Sequence, residues 1–198
     1  MNAEKTPTAD KQYLFTENTI RALGLFQEMR EQYACTAEEF AAFLWVISIY
    51  GRGTEKAQFD RIFNERLLFS EPFKLDDGEF SIIPASDADV LTVNQLRSGL
   101  GIDMETYFYL AHFIADANSS AGAHKVTKLA RSLPIISSFY RMARLPHLLG
   151  MTPIQAVLLL GVLGGENGVT PLAGSPRINA QQGDATPDVL SVIHALMG

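Results

Sequence analysis

The 198-residue chain lacks most of the features that would indicate a familiar kind of chemistry or location. It has a single cysteine, Cys35, which excludes an internal disulfide framework and any cysteine-rich zinc site. Its longest apolar stretches, 40–47 and 156–163, are eight residues each, well short of the ~18 residues that a membrane-spanning helix needs. The first twelve residues are polar where a secretory signal peptide carries an apolar segment, so none is predicted.

Motifs for catalysis and cofactor binding are also missing from the sequence. The four histidines, at positions 112, 124, 147 and 194, include no pair at i, i+4 spacing and no HExxH motif. There is no GxSxG nucleophile motif, and the glycines at 164–168 follow a helix and lack the Gly-Lys-Ser/Thr end of a phosphate-binding loop. We expect His112 to be a partly buried structural side chain and Cys35 to be small hydrophobic filler. The sequence therefore predicts no catalytic residue, no metal site and no cofactor, and a chain that is not an enzyme.

Acidic residues are absent from one long stretch, residues 117–165, although the chain carries a net charge of −6. Residues 1–116 hold 19 acids and 10 bases, whereas residues 117–198 hold 3 acids and 6 bases. Such a split is compatible with a face for nucleic acid or membrane, or with contacts between the basic and the acidic half of the molecule. We favour contacts within or between subunits, because the basic residues are too sparse for a dense cationic patch. The basic residues of that stretch are Lys125, Lys128, Arg131, Arg141 and Arg144.

What the chain does contain is a succession of capped, amphipathic helical segments. The predicted helices cover 16–33, 36–50, 54–63, 89–100, 103–117, 123–131, 134–149, 152–163 and 186–197. The first carries Ile20, Leu23, Leu25, Phe26 and Met29 as its apolar residues. Because residues 156–163 are apolar on every side, that helix is predicted to be central. Residues 1–13 read as a flexible tail, residues 164–183 as a long loop, and residues 72–84 as a loop or small β-hairpin lying against the helices.

One arrangement occurs three times: a helix, a short break that contains an apolar residue, a capping residue, and a second helix. The apolar and capping residues of the three breaks are Cys35 and Thr36, Ile102 and Asp103, and Met151 and Thr152. The apolar residue can pack against the helix that follows it, so each copy is an αα-hairpin. The sequence therefore predicts an all-α fold, an irregular bundle of eight or nine helices in a single domain over 14–198.

Part of the sequence resembles a known family of proteins. The passage Phe59-Asp-Arg-Ile-Phe-Asn64-Glu-Arg-Leu-Leu68, followed by Pro72-Phe and a polar turn, is similar to a recurrent passage in the A component of bacterial Tc (toxin complex) insecticidal toxins. The phrases at 14–50, 90–110 and 139–155 also look like that family, in which helix–Leu-Gly–helix units recur. The resemblance covers residues 14–163.

This resemblance implies a place in a large assembly. The family's A component is a pentameric device whose α-helical shell encloses a translocation channel, and this chain resembles part of the shell. A chain of 198 residues cannot hold the channel and the receptor-binding domains, so the resemblance implies a fragment or a separately encoded piece. The implied partners are other regions or copies of the toxin A subunit and, indirectly, the toxin B and C components. No nucleic acid is implied, a membrane is contacted only through the full assembly, and the implied location is secreted or cell-surface associated.

Two other classes of function remain open at this stage. The chain is alternatively a stand-alone helical adaptor that binds a peptide or protein between its αα-hairpins, or a basic module for membrane or nucleic acid. A shell domain is expected to expose apolar surface that its neighbours cover, and we predict that surface at Val169, Leu172 and Ile178 and along Val189, Ile193 and Met197. The alternative is that these six side chains dock onto the core of their own chain.

Overall fold

Helices dominate the computed structural model of the chain, which describes residues 16–65, 68–119, 126–178 and 187–198. Within those ranges there are nine α-helices, one two-stranded sheet and one 3₁₀ turn at Gly165–Asn167, so the predicted all-α class with a small β insertion is confirmed. The predicted tail at 1–13 lies outside the described residues. The helices are α1 Glu17–Tyr33, α2 Ala37–Leu44, α3 Gln58–Phe63, α4 Asp87–Leu100, α5 Met104–Ala117, α6 Leu133–Leu148, α7 Pro153–Gly164, α8 Thr170–Ala173 and α9 Val189–Met197.

The three predicted αα-hairpins, α1–α2, α4–α5 and α6–α7, are confirmed. Each break contains a residue in the left-handed conformation: Ala34, Gly101 and Gly150, with φ of 55°, 65° and 76°. The side chain of each predicted cap then accepts a hydrogen bond from the first turn of the following helix; the caps are Thr36, Asp103 and Thr152. Local hydrogen bonding by side chains thus fixes where these three helices begin.

Ala34 is the exception among the three left-handed residues, because a Cβ atom is unfavourable in that conformation. We expect Ala34→Gly to raise the free energy of unfolding by about 1 kcal/mol, since the relief of strain exceeds the added entropy of the unfolded chain. Thermal or urea denaturation measures this change. Ala41→Gly, an exposed interior position of α2, is the matched control and is expected to lose about 1 kcal/mol. A change in the free energy of unfolding with the same sign in both variants would contradict the left-handed conformation of Ala34.

The segment between α2 and α3 differs from the prediction. The second helix ends at Leu44 and not at Gly51, and Thr54 lies in a turn between Arg52 and Glu55 without capping α3. The cause is tertiary: the amide N–H of Ile47 donates to Ser137 Oγ at 3.1 Å, and that of Ser48 donates to Gln58 Oε1 at 3.1 Å. These bonds to distant side chains replace the helical ones that the apolar pattern had suggested.

The sheet also corrects two predictions. Strand β1, Glu79–Ser81, pairs antiparallel with strand β2, Lys128–Ala130. The insertion at 72–84 therefore does not form a hairpin of its own. Residues 128–130 form a strand, whereas a helix was predicted over 123–131. Residues 120–125 lie outside the described residues. Phe80 and Leu129 face each other across the pair and are both buried, so the register is set by the core beneath the sheet.

The centre of the molecule is α6, which packs against α2, α4, α5, α7 and α8. The prediction that α7 is central is wrong. Its buried face holds Ala156, Val157 and Leu160, but the opposite face is exposed to solvent although it is equally apolar. A helix with apolar residues all round looks central from its composition, yet α7 packs on α5, α6 and α9 with one side only.

The C-terminal part of the chain reverses another prediction. Val169, Leu172, Val189 and Ile193 are buried in the core, and Ile178 and Met197 are partly buried against it, so the predicted exposed surface there is wrong. Residues 170–173 form the short helix α8, which packs on α5 and α6, where a continuous loop was predicted. The alternative, docking onto the chain's own core, holds for these six side chains.

Among the described residues, no single helix is both long and apolar enough to cross a membrane. Helices α6 and α7 together reach the required length and composition, but a bend of 95° separates them.

Candidate interaction surfaces

The basic residues of the acid-free stretch find their partners within the molecule. Arg144 contacts Glu39 at 2.7 Å, Arg131 contacts Asp76 at 2.7 Å, and Lys128 lies 3.8 Å from Glu79. Each pair joins the basic half of the chain to the acidic half, as the favoured interpretation predicted. Lys125 lies outside the described residues. Because these cations are paired with carboxylates, they present less positive charge to a nucleic acid or a lipid headgroup.

Arg141 also has internal partners, although none of the carboxylates in the described ranges forms an ion pair with it. Its side chain is 1% exposed, and burial lowers its pKa to about 10, so it remains charged at neutral pH. The guanidinium donates to the backbone carbonyls of Trp45, of Leu172 at 3.0 Å and of Gly174 at 2.6 Å, and to Ser138 Oγ at 2.8 Å. One buried cation thus ties the loop after α2 to the segment around α8.

The single cysteine, Cys35, is buried. Cys35 is 1% exposed, and burial followed by the nearby Glu39 carboxylate raises the pKa of its thiol to about 11. A thiol with a raised pKa and no access to solvent is a poor nucleophile, in agreement with its predicted role as filler. His112 is partly buried, also as predicted.

We expect Cys35 to resist alkylation in the native protein. At pH 8 its reaction with iodoacetamide should be at least about 100-fold slower than in guanidinium chloride. The raised pKa lowers the fraction of thiolate, and burial keeps the reagent from the sulfur. Mass spectrometry of the quenched mixture measures the labelled fraction directly, since the chain has one thiol. Equal rates in the two conditions would contradict the described packing around Cys35.

The acidic side chain of Asp89 has structural partners at the connection between β1 and α4. Asp89 Oδ1 accepts from the Ser81 amide at 3.0 Å and its Oδ2 from the Ala85 amide at 3.1 Å, and these bonds, chiefly that from Ser81, lower the pKa of Asp89. Within the described ranges, no three His, Cys, Asp or Glu side chains come together in a way that would hold a metal ion.

One apolar part of the protein surface lies on α7. We call Leu158, Val162 and Leu163, which are 58%, 84% and 57% exposed, the α7 face. No charged residue occurs in Pro153–Gly164. Gly161 lies in the same helix, and a Cβ atom built there meets nothing within 4 Å. An exposed glycine inside a helix costs about 1 kcal/mol relative to alanine, and here the described residues give no packing reason for it.

A second apolar surface is the 45–50 loop, where Trp45, Ile49 and Tyr50 are exposed. Buried side chains of α6 fix the backbone of this loop: the Arg141 guanidinium donates to the Trp45 carbonyl, and Ser137 Oγ accepts from the Ile47 amide. Large apolar side chains on a fixed backbone lose little entropy when a partner covers them, which is typical of energetically important interface residues.

A groove of about 740 Å³ lies between the start of α2, helix α3, the end of α4 and the second half of α6. Its charged side chains are largely paired with one another: Glu39 with Arg144, and Glu38 with Arg61. Burial alone would raise the pKa of Glu39, but the bonds from Thr36 and Arg144 outweigh it and lower that pKa. The groove is therefore polar, and its strongest donors and acceptors already have partners.

Comparison with known proteins finds a similar toxin subunit. The chain is 35% identical over 184 residues to "Toxin subunit YenA1" from Yersinia entomophaga, a match that covers 93% of this chain and 15% of the relative. The chain is therefore similar, along nearly its whole length, to one part of a toxin subunit. The resemblance predicted from the sequence is thereby confirmed, although no family model matches the chain.

Two solved structures show the same fold. They are the cryo-EM structures of Yersinia pseudotuberculosis TcaA-TcaB, with a TM-score of 0.59 and 20% identity over 89% of this chain, and of Morganella morganii TcdA4, with a TM-score of 0.58 and 16% identity over 79%. The matches cover 8% and 7% of those chains. This Tc toxin relative therefore spans about one sixth or less of the proteins that it resembles, all of which are much longer.

Sequence reasoning found the family but placed the exposed apolar surface wrongly. The α7 face was assigned to the core because its residues are apolar. The one sequence feature that argues against a central position is a glycine, Gly161, inside the helix, since a buried helix needs glycine only where another element approaches closely.

Proposed function

We propose that this chain is a non-catalytic structural and interaction domain of a Tc-type toxin A subunit, part of the helical shell around a translocation channel. The observation that carries the proposal is the α7 face: a charge-free, exposed helix surface on a domain whose relative is a toxin subunit several times its length. Apolar surface of this kind is unusual on a monomer and typical of a contact with another protein element.

The use of polar groups elsewhere supports a structural role. Buried polar side chains such as Arg141, Ser137 and Gln58 form hydrogen bonds with backbone groups of the chain itself. Asp89 likewise binds backbone amides in the connection between β1 and α4. These groups shape the domain and hold the 45–50 loop in place. They are not arranged as a nucleophile with a base and an oxyanion-binding pair, which an acyl-transfer site needs.

The partners we propose follow from the same surface. Other regions or copies of the toxin A subunit cover the α7 face, the B and C components are reached indirectly, and a membrane is reached through the whole assembly. In this proposal the domain is exported with the toxin and acts at the bacterial surface or outside the cell.

Charge placed on the α7 face tests the proposal. The chain is tagged, expressed together with the other toxin components, and purified, and the bound toxin polypeptides are identified and quantified by mass spectrometry. Val162→Lys should leave folding unchanged, because the side chain is 84% exposed, and should reduce recovery of the toxin polypeptides at least about tenfold.

Ile83→Lys is the matched control, since Ile83 is also an exposed β-branched apolar side chain but follows β1 and is not part of α7. It should recover the toxin polypeptides as the wild type does. Equal recovery with Val162→Lys, or no recovery with the wild type, would contradict the proposal.

The alternative, a stand-alone adaptor, is favoured by one observation, the groove between α2, α3, α4 and α6. An adaptor should bind selected peptides with micromolar or tighter affinity, and Arg61→Glu, which replaces a groove cation, should abolish that binding. Peptide display selection on the isolated chain tests this alternative. If no peptide is enriched, the adaptor function is contradicted and the shell domain is favoured.

A further inference from the structure

An exposed asparagine lies just beyond the C-terminal end of α7. Asn167 is the last residue of the 3₁₀ turn Gly165–Asn167, and Gly168 follows it directly. This is the one Asn-Gly pair in the sequence. Glycine has no Cβ atom, so no side chain shields its backbone nitrogen from the side chain of the preceding residue. By sequence, Asn167 is therefore the asparagine with the least steric protection against attack by the backbone nitrogen that follows it.

The packing of the turn explains why residue 168 is a glycine. Gly168 is buried, and a Cβ atom built there would lie 2.2 Å from the backbone oxygen of Leu160 and 3.1 Å from Cα of Gly164. Both are backbone atoms of α7, so they cannot move aside as the end of a flexible side chain could. The fold thus requires the glycine that makes Asn167 susceptible.

We propose that Asn167 is a deamidation site, at which the backbone and water convert a neutral side chain to a carboxylate. The backbone nitrogen of Gly168 forms a bond to Cγ of Asn167, and the side-chain nitrogen leaves as ammonia together with the proton of the Gly168 amide. The resulting cyclic imide adds one water at either carbonyl and opens to aspartate or isoaspartate. One water is consumed, one ammonia is released, and nothing is oxidised or reduced.

The native turn holds this reaction back. The Gly168 N–H donates to the carbonyl oxygen of Gly165 at 3.1 Å, and Gly168 has helical dihedral angles, with φ of −60° and ψ of −34°. The nitrogen can attack only after that hydrogen bond breaks and the peptide rotates toward Cγ, which is a local opening of the turn. We therefore expect Asn167 to react slowly in the folded chain and faster in the unfolded chain.

A carboxylate at position 167 would change the surroundings of the α7 face. It would lie three residues after Gly164, the last residue of α7, where the negative end of the helix dipole disfavours an anion. Helix α7 contains no charged residue, and Leu163 at its exposed end belongs to the α7 face. Deamidation should weaken a contact there, because a partner would have to remove water from the new charge. This consequence rests on the proposed function of the α7 face.

Incubation in water enriched in ¹⁸O tests the chemistry in the full chain alone. The chain is kept at neutral pH, folded in one sample and unfolded in urea in another, and peptide mapping by mass spectrometry follows ¹⁸O incorporation at each asparagine. Asn118 is the matched control: a serine follows it, and its Nδ2 donates to the carbonyls of Ile114 at 2.7 Å and of Ala173 at 3.2 Å.

We expect Asn167 to incorporate ¹⁸O in both samples, at least about tenfold more slowly in the folded chain. In urea it should react at least about tenfold faster than Asn118, since only Asn167 precedes a glycine. Absence of the label at Asn167 in the folded chain, or no more label than at Asn118 in urea, would overturn the proposal. Equal rates at Asn167 in the two samples would overturn the protection assigned to the turn.

Recovery of co-expressed toxin polypeptides tests the consequence. Asn167→Asp, the permanently charged form, should recover at least about threefold less than the wild type, whereas the neutral Asn167→Gln should recover as much. An aged wild-type sample gives the same comparison without a variant, since the deamidated form should be depleted in the bound fraction. If all forms recover equally while Val162→Lys loses its partners, the effect on the α7 face is wrong; if Val162→Lys keeps them too, the proposed function itself has failed.

Discussion

Replacement of Arg141 by methionine is expected to lower the free energy of unfolding by about 3–5 kcal/mol. Methionine fills a similar volume but donates no hydrogen bond. The carbonyls of Trp45, Leu172 and Gly174 would then be left inside the protein without their donor, and each unsatisfied buried carbonyl costs about 1–3 kcal/mol. Urea denaturation followed by far-UV circular dichroism measures the loss.

Arg144→Met is the matched control for this prediction. Arg144 lies one turn further along α6 and makes an ion pair with Glu39, but its side chain is 46% exposed. Exposed pairs contribute about 1 kcal/mol or less, so this variant should remain close to the wild type. A loss below about 1 kcal/mol for Arg141→Met, or similar losses for both variants, would contradict the role assigned to Arg141.

The second large effect is expected at Gly99, where α4 crosses α3. A Cβ atom there would lie 2.4 Å from Phe63 Cδ1, and the Phe63 ring is confined by Phe59 and Phe73, with ring centroids 5.1 Å away in both cases. Gly99→Ala should therefore cost about 1–3 kcal/mol despite the better helix propensity of alanine, because the aromatic cluster must shift. Thermal denaturation monitored by circular dichroism measures this.

Gly24→Ala makes the same change where α1 is open to solvent. Nothing lies within 4 Å of its added Cβ, so this variant should gain about 0.5–1 kcal/mol. Opposite signs for the two Gly→Ala variants would confirm the close approach of α3 and α4. Stabilisation by Gly99→Ala would show that the aromatic cluster is looser than described.

The predictable part of the fold is the part that short-range hydrogen bonds determine. Thr36, Asp103 and Thr152 were identified as helix caps because a cap and the backbone N–H that donates to it lie within three residues of each other. Gly101 and Gly150 likewise mark helix ends through a conformation that glycine adopts at little cost. Hence the three αα-hairpins could be predicted from the sequence.

The features that the sequence analysis missed depend on distant partners. Residues 128–130 form a strand because they pair with Glu79–Ser81, about fifty positions away, and residues 45–50 leave the helix because Ser137 and Arg141 bind their backbone. The orientation of α7 is of the same kind, since its two faces are similarly apolar and only its neighbours decide which one is covered. Periodicity within one segment carries none of this information.

The candidate surface was therefore predicted only in outline. That the domain exposes apolar residues was expected, but the predicted positions, such as Leu172 and Ile193, are buried. A terminal helix such as α9 is ordered by docking its apolar side, which removes that side from the surface. The exposed residues are on α7 and on the 45–50 loop instead.

Hydrogen exchange of residues 153–164 tests most directly whether the α7 face is a contact surface of a toxin assembly. The tagged chain is purified both alone and with its co-expressed toxin components, and mass spectrometry follows deuterium uptake of the α7 peptide in each sample. We predict that uptake slows at least about tenfold in the assembly, while uptake of a peptide that contains Ile83 is unchanged. Identical uptake of the α7 peptide in the two samples would contradict the account.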